Sequence, residues 1–343
     1  MGLRSNKAML NEFRQDLVSG EWVLFATGRG HSFRKNHENV FFQSKQECPF
    51  EDFDSLSHGQ KVIWHYPGNK NPFATVIKNK FPAVIQTICT PETSFGPFKI
   101  HDGIGEHEVV VYRDHDKSIY DFSVADFENV TRIYKKRYTE IAKEVDCIKY
   151  ILIFHNHGRE AGASVYHPHS QMMTTPILPP DISRSIYGSY FYYTNHKKRV
   201  YAELLEWELN ERKRIVYEND DFIVFCPYVS KYPYEMRIFS KESHAHFNEM
   251  PDSQDSGFAD ALHTSIQKMN LALDAPSFNM FIHTAPVIEE FKIDMHEFYH
   301  WHIEIIPHLK IDAGFEIGTG ISINMIDPDE AAETLRNISL NKR

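Results

Sequence analysis

One order of segments appears between residues 107 and 175 and returns between 222 and 307, and this repeat limits the possible folds more than any single motif. In the first run, the alternating stretch 107–112 (HEVVVY) leads into Arg113-Asp114-His115. A segment with apolar residues at Phe127, Val130, Tyr134, Tyr138 and Ile141 follows, then the apolar run 150–154, then His167-Pro168-His169-Ser170-Gln171. In the second run, the strand-like stretches 222–226 and 235–239 precede Lys241-Glu242-Ser243-His244. Phe258, Leu262, Ile266 and Met269 then form a stripe, 278–283 is apolar again, and His300-Trp301-His302-Ile303-Glu304 closes the copy. The stripes have helical spacing and the short runs have strand character. Shared order with little shared identity is the mark of an internal duplication. Each half is therefore expected to be an antiparallel sheet with a long helix packed on it, an α+β fold divided at about 1–185 and 186–343. Ser123, three residues before Asp126, marks the start of the first helix as a capping box.

Composition restricts what such a fold can bind. The chain has 343 residues, 42% of them hydrophobic, enough for a large core. Its 37 basic and 47 acidic residues give a net charge of −10, which excludes a general nucleic-acid binder. A phosphorylated ligand would need a local pocket. No apolar run reaches membrane-spanning length and no signal-like segment opens the sequence, so a cytoplasmic protein is expected. The 4 cysteines, Cys48, Cys89, Cys147 and Cys226, are scattered and show no disulfide framework. Residues 1–20 read as a polar lead-in to a strand at 21–26.

The chemistry concentrates in 154–171, FHNHGREAGASVYHPHSQ. An apolar strand feeds a loop containing Asn156, Gly158, Gly162 and Ser164, and small residues let backbone N–H groups approach phosphate oxygens. Beyond the loop, His167, His169 and Gln171 alternate, so on a strand they share one face. A neutral imidazole is nucleophilic near pH 7 and could attack phosphorus. H-x-H is also a metal-ligand spacing, and with 20 histidines in the chain such pairs arise by chance. Of the two H-x-H pairs that close the two copies, His167/His169 and His300/His302, only the first follows a glycine-rich loop; before the second come Val287 and Ile288.

The segment from Asn156-His157-Gly158 through Gly162-Ala163-Ser164 to His167-Pro168-His169-Ser170-Gln171 resembles the active-site signature of galactose-1-phosphate uridylyltransferases. These form a branch of the histidine-triad superfamily that also includes ADP-glucose phosphorylase-like and diadenosine polyphosphate phosphorylase enzymes. The resemblance runs from about residue 20 to 335. It implies a duplicated histidine-triad-like fold, with His169 as nucleophile, Gln171 holding a phosphate oxygen, and Asn156, Gly162 and Ser164 lining the phosphates. It further implies nucleotide contacts from Asn79 and from Arg29 or Arg34 in the turn 27–34, although that turn is equally readable as a solvated basic loop. Around Ala313-Gly314-Phe315-Glu316-Ile317-Gly318-Thr319-Gly320 it implies contacts from Glu316, Gly318 and Thr319 to the sugar phosphate, with a plain glycine-rich turn as the alternative.

The same resemblance implies a structural zinc site. Where the family carries Cys-Pro-x-Cys, this chain has Cys48-Pro49-Phe50-Glu51, so the expected ligands are Cys48, Glu51, His115 and His167. A second metal, iron or zinc, would fall on His283, His302 and Glu304. One family histidine is Glu304 here, and the family's glutamate falls near Ser185 with Asp181 the nearest carboxylate, so an empty or weakly held second site is expected. The expected activity is exchange of a nucleoside monophosphate between a nucleotide sugar such as UDP-glucose and a hexose 1-phosphate, by ping-pong through a covalent nucleotidyl-histidine. The alternatives are an ADP-glucose or dinucleoside polyphosphate phosphorylase, a zinc-dependent hydrolase, and a nucleotide-binding protein without turnover. The expected partners are a nucleotide sugar, a sugar phosphate and a second copy of the chain.

Overall fold

Strand propensity and alternation between buried and less buried positions place ten strands in one sheet. The computed structural model describes residues 10–29, 42–51, 61–144, 147–288 and 291–340. The strands are β1 (Val62–Tyr66), β2 (Ala74–Lys78), β3 (His107–Tyr112), β4 (Tyr150–His157), β5 (His169–Thr175), β6 (Ile215–Glu218), β7 (Phe222–Phe225), β8 (Met236–Ser240), β9 (Phe278–His283) and β10 (His302–Pro307). Their order across the sheet is β6-β7-β8-β10-β9-β4-β5-β3-β2-β1. Read outward from the β9–β4 seam, the two halves have the same internal order. The seam pairs Phe154 with Phe281, which hold equivalent positions in the two runs. The fold is α+β, and the two sheets expected from sequence join edge to edge into one.

The long helices α1 (Val124–Glu144) and α2 (Asp255–Leu273) lie on one face of this sheet. Every residue of the two sequence stripes, from Phe127 to Ile141 and from Phe258 to Met269, is buried there. Inward-facing Val110, Ile153, Met172, Ile238, Met280 and Ile303 complete the layer. The α1 terminus is capped as the sequence implied: Ser123 N donates to Asp126 Oδ2 at 2.9 Å and Asp126 N donates to Ser123 Oγ at 3.2 Å.

The opposite face differs between the halves. Over β6–β10, helices Pro180–His196 and Val200–Glu211 bury Ile186, Val200 and Tyr201 against Ile223, Phe225 and Phe239. Over β1–β5, the segment around Cys48 and Phe50 packs on Ile77, Val109 and Val111. The expected division between 185 and 186 falls inside helix Pro180–His196.

Two readings are corrected. The lead-in contains a strand: Asn11–Gln15 pairs antiparallel with Trp22–Ala26, which also takes Ser322–Asn324 in parallel. Its side chains are mostly exposed, so an edge strand of polar residues gave no apolar signal. Cys89 and Cys147, 58 residues apart, are joined as a disulfide with Cα atoms 5.7 Å apart, a pairing that spacing could not show.

Candidate functional site

The β5 strand begins at His169, and its register with β3 and β4 fixes the site. Gln171 lies across from Val109 on one side and Phe154 on the other. One further step of the β4–β5 register sets Asn156 across from His169. Alternation puts His169, Gln171, Phe154 and Asn156 on the face away from α1.

His169 is buried, and its Nδ1 is 2.8 Å from the carbonyl oxygen of His167. A carbonyl only accepts, so Nδ1 carries the proton and donates, and Nε2 keeps its lone pair. Burial pushes the imidazole below its ordinary pKa, and the bond to His167 only partly offsets this. The ring of Phe50 lies edge-on against it, centroids 5.2 Å apart. The arrangement is a neutral ring, held from behind, with one free nitrogen.

Gln171 is oriented by a residue that the sequence reading did not single out. His107 Nδ1 accepts from the backbone N–H of Ala83 at 3.2 Å. Its other nitrogen therefore holds the proton and donates to Gln171 Oε1 at 2.8 Å. With its oxygen occupied, Gln171 presents its NH₂ group as a donor. Asn79 stands at the same node, its Nδ2 3.1 Å from His107 Nε2, while its Oδ1 accepts from Phe81 N at 2.9 Å. The signal available in sequence was His107 two residues before Val109 on the same strand face, but nothing in its spacing linked it to Gln171.

A second unforeseen group lies beneath the strand. Ser170 Oγ accepts from Tyr134 Oη at 2.6 Å and also meets Tyr112 Oη at 2.8 Å and His155 Nδ1 at 3.0 Å. All four side chains are buried, and burial holds the His155 imidazole well below its ordinary pKa. Ser170 separates His169 from Gln171 in the chain, so this network anchors the strand from the helix side.

The glycine-rich loop is a tight turn. Gly158 and Gly162 have φ of 81° and 84°, values that suit glycine. A Cβ on Gly158 would also meet Ser277 Oγ at 2.1 Å. Gly162 N and Ala163 N donate to Arg159 O and Gly158 O at 3.0 and 3.1 Å. Ser164 is exposed beyond them. Asn156 Oδ1 accepts from Asn279 Nδ2 at 2.8 Å, and the same amide reaches Ala161 O at 2.9 Å, so β9 braces the loop.

Cys48, Glu51, His115 and His167 converge from separate parts of the chain. The two Nδ1 atoms are 3.2 Å apart, Cys48 Sγ is 3.6 Å from His167 Nδ1, and Glu51 Oε1 is 3.4 and 3.2 Å from the two Nδ1 atoms. His115 Nε2 donates to Gln43 O at 2.8 Å and His167 Nε2 donates to Tyr112 O. Both Nδ1 atoms therefore carry lone pairs and face each other without a proton between them. Backbone carbonyls fixing the far nitrogen are the usual support of a metal-bound imidazole, and a cation removes the repulsion. These residues fit a zinc ion.

In the other half, His283, His302 and Glu304 also come together. His302 Nδ1 is 3.2 Å from His300 O, the same self-strand arrangement as in His169. Glu304 Oε1 is 2.8 Å from Arg237 Nε, and Glu304 Oε2 is 3.4 Å from His283 Nε2. Burial pushes the Glu304 carboxyl up, but Arg237 and the two histidines outweigh it and hold the group well below the usual range. Asp181, the substitute for the family's glutamate, is on an exposed helix turn bonded to Arg184.

The remaining candidates lie elsewhere. Arg29 ends a short 3₁₀ turn, Thr27–Arg29, and Arg34 is outside the described residues. Glu316, Gly318 and Thr319 occupy a short exposed helix, Gly314–Thr319. There Glu316 accepts from Ala313 N at 3.1 Å and Thr319 Oγ1 donates to Phe315 O at 2.6 Å, both local bonds.

Residues 4–179 match the family model of the galactose-1-phosphate uridyl transferase N-terminal domain, and residues 103–342 match a domain of unknown function, DUF4921. The chain is 31% identical to an ADP-glucose phosphorylase of Arabidopsis thaliana, over 96% of this chain and 93% of that one. It is 30% identical to a galactose-1-phosphate uridylyltransferase of Thermotoga maritima, over 95% and 98% of the two chains. Among solved structures, an Arabidopsis ADP-glucose phosphorylase with bound ADP-glucose superposes with a TM-score of 0.80 at 29% identity, covering 96% of this chain and all of that one (100%).

Proposed function

The chain belongs to the galactose-1-phosphate uridyl transferase family, and from that premise we propose that His169 carries a nucleoside monophosphate between a nucleotide sugar and a phosphate acceptor. The observation behind this reading is the His169 ring itself, with Nδ1 committed to His167 O and Nε2 left free beside Gln171. In the first step the Nε2 lone pair bonds to the α-phosphorus. The bond from that phosphorus to the bridging oxygen breaks, and hexose 1-phosphate leaves with the electron pair. In the second step an acceptor phosphate oxygen takes the phosphorus, the P–N bond breaks, and His169 returns neutral. One displacement becomes two easier ones. The Gln171 amide, with Asn156 and Ser164, would hold the phosphoryl oxygens as charge develops there, Gly162 would line them with its N–H kept by Arg159 O, and Asn79 and Arg29 would meet the nucleoside.

Zinc would be held by Cys48, Glu51, His115 and His167, a full set of four protein donors, which suits a structural rather than a water-activating ion. It would fix His167, whose carbonyl holds His169. The duplication into halves near residue 185, the cytoplasmic location and the homodimer belong to the same proposal. Among the described residues no helix is long and apolar enough to cross a membrane. Ile311 and Ile317, 81% and 78% exposed on either side of Glu316, support a second copy covering that segment and bringing Glu316, Gly318 and Thr319 to a neighbouring site.

The preferred reading has a hexose 1-phosphate as acceptor. The ADP-glucose phosphorylase relative favours a second reading, in which the donor is ADP-glucose and the acceptor is inorganic phosphate. Incubating the protein with UDP-glucose or ADP-glucose, and with galactose 1-phosphate or phosphate, separates the two. The proposal predicts exchange that depends on an acceptor. Hydrolysis without an acceptor, abolished by a chelator, would instead establish a zinc hydrolase.

A further inference from the structure

The C-terminal copy repeats the strand geometry of the nucleophile site with different chemistry. Across from His302 stands His283, where the N-terminal copy has Asn156 across from His169. Across from Glu304 stands Arg237, where the N-terminal copy has Val109 across from Gln171. A pocket of two histidines and a carboxylate is a metal-binding set by composition, and its ligand atoms lie close enough together to share an ion.

Charge decides against it. Arg237 is a permanent cation, and its Nε is 2.8 Å from Glu304 Oε1 with both side chains only 14% and 13% exposed. Glu235 Oε1 is 3.3 Å from Arg237 Nη2, and Asp16 Oδ2 is 4.0 Å from Nη1. The carboxylate oxygen that a metal would require is therefore already taken by a guanidinium, whose charge it shares with Glu235 and Asp16, and a dication would enter a nearly dry pocket beside that guanidinium. The zinc-fitting cluster of the other half differs on this point. Among the described residues no Lys or Arg is ion-paired with Glu51, whose partners are His115 and His167.

We infer that Arg237 takes the place of the cation in the C-terminal copy, so that His283, His302 and Glu304 form a metal-free, ion-paired centre. Arg237 then ties β8 to β10 and, through Asp16, to the hairpin Asn11–Ala26. Removing the guanidinium would leave Glu304 uncompensated. It would also leave His283, whose two ring nitrogens have no hydrogen-bond partner among the described residues, next to a bare carboxylate. That is the condition for taking a divalent ion.

Elemental analysis of the full chain, dialysed first against excess zinc and then against metal-free buffer, tests the inference. The expected result is one zinc per wild-type chain. Arg237→Met, whose unbranched apolar side chain occupies similar space, should hold a second equivalent. That equivalent should be lost again in Arg237→Met/Glu304→Gln. Two equivalents in the wild-type chain, with one lost in Glu304→Gln, would overturn the inference whatever the behaviour of Arg237→Met. A folded Arg237→Met that keeps only one equivalent would show that the guanidinium is not what excludes the ion. Both outcomes are independent of whether His169 carries a nucleotide.

Discussion

The two H-x-H faces have one backbone and opposite fates. In the N-terminal half, His169 and Gln171 lie among Asn156, Val109 and Phe154, so a neutral imidazole and an amide donor meet few fixed charges. In the C-terminal half, His302 and Glu304 lie among His283, Arg237 and Phe281, and the charges satisfy each other. The covers differ as well. Tyr201, from helix Val200–Glu211, and Phe239 place their rings 5.6 and 4.6 Å from His302. Over His169 the cover is Phe50, next to the metal-fitting cluster. The two halves share one strand framework, and a few side chains leave a neutral histidine on one face and an ion-paired cluster on the other.

If that contrast is right, equivalent substitutions should have unlike effects. The largest is expected at the nucleophile. His169→Asn should lower turnover by about 10⁴-fold or more while the protein stays folded, since no other group is placed to take the nucleotidyl load. His302→Asn should leave turnover within a few-fold, as a steady-state assay of both variants would show.

Next come Gln171 and Glu304, which occupy the same strand position. Glu304→Gln removes the 2.8 Å partner of Arg237, leaving Glu235 and Asp16 beside the guanidinium, and should cost about 1 to 3 kcal/mol of stability in denaturant melts. It should spare turnover measured at low temperature. Gln171→Ala should do the reverse, slowing turnover about 10²-fold with little change in stability, because a donor to the transferring group is lost. His107→Leu should slow turnover by a smaller factor, roughly 10-fold, since Gln171 remains but its amide is no longer held. Equal stability losses from Gln171→Ala and Glu304→Gln would break the comparison.

The smallest expected effect concerns the loop. Gly158→Ala places a Cβ 2.1 Å from Ser277 Oγ at φ 81°, and should cost about 1 to 3 kcal/mol. Gly162 has open space around its Cβ position, so Gly162→Ala there meets backbone strain alone and should cost less.

What the sequence made legible follows from periodicity and local order. The helix stripes, the cap at Ser123 and the repeated strands depend on neighbours in the chain, and each is found in place. That His169 and Gln171 share a face was legible because alternate residues of a strand point the same way. Contacts between distant segments were not. His107 and Gln171 are 64 residues apart, and only the β3–β5 pairing brings them onto one face. Arg237 and Glu304 meet only through the β8–β10 ladder. Helices Pro180–His196 and Val200–Glu211, which close the C-terminal face, were not singled out because their importance comes from what they cover. The disulfide and the polar edge strand at Asn11–Gln15 were hidden in the same way.

The claim that one copy is chemical and the other structural reduces to where the nucleotide bonds. Intact-mass measurement of the wild-type chain, His169→Asn and His302→Asn, each mixed with UDP-glucose and with ADP-glucose, reads this directly. The account predicts a nucleoside monophosphate adduct on wild type and His302→Asn and none on His169→Asn. An adduct on His169→Asn, or its loss only in His302→Asn, would contradict it.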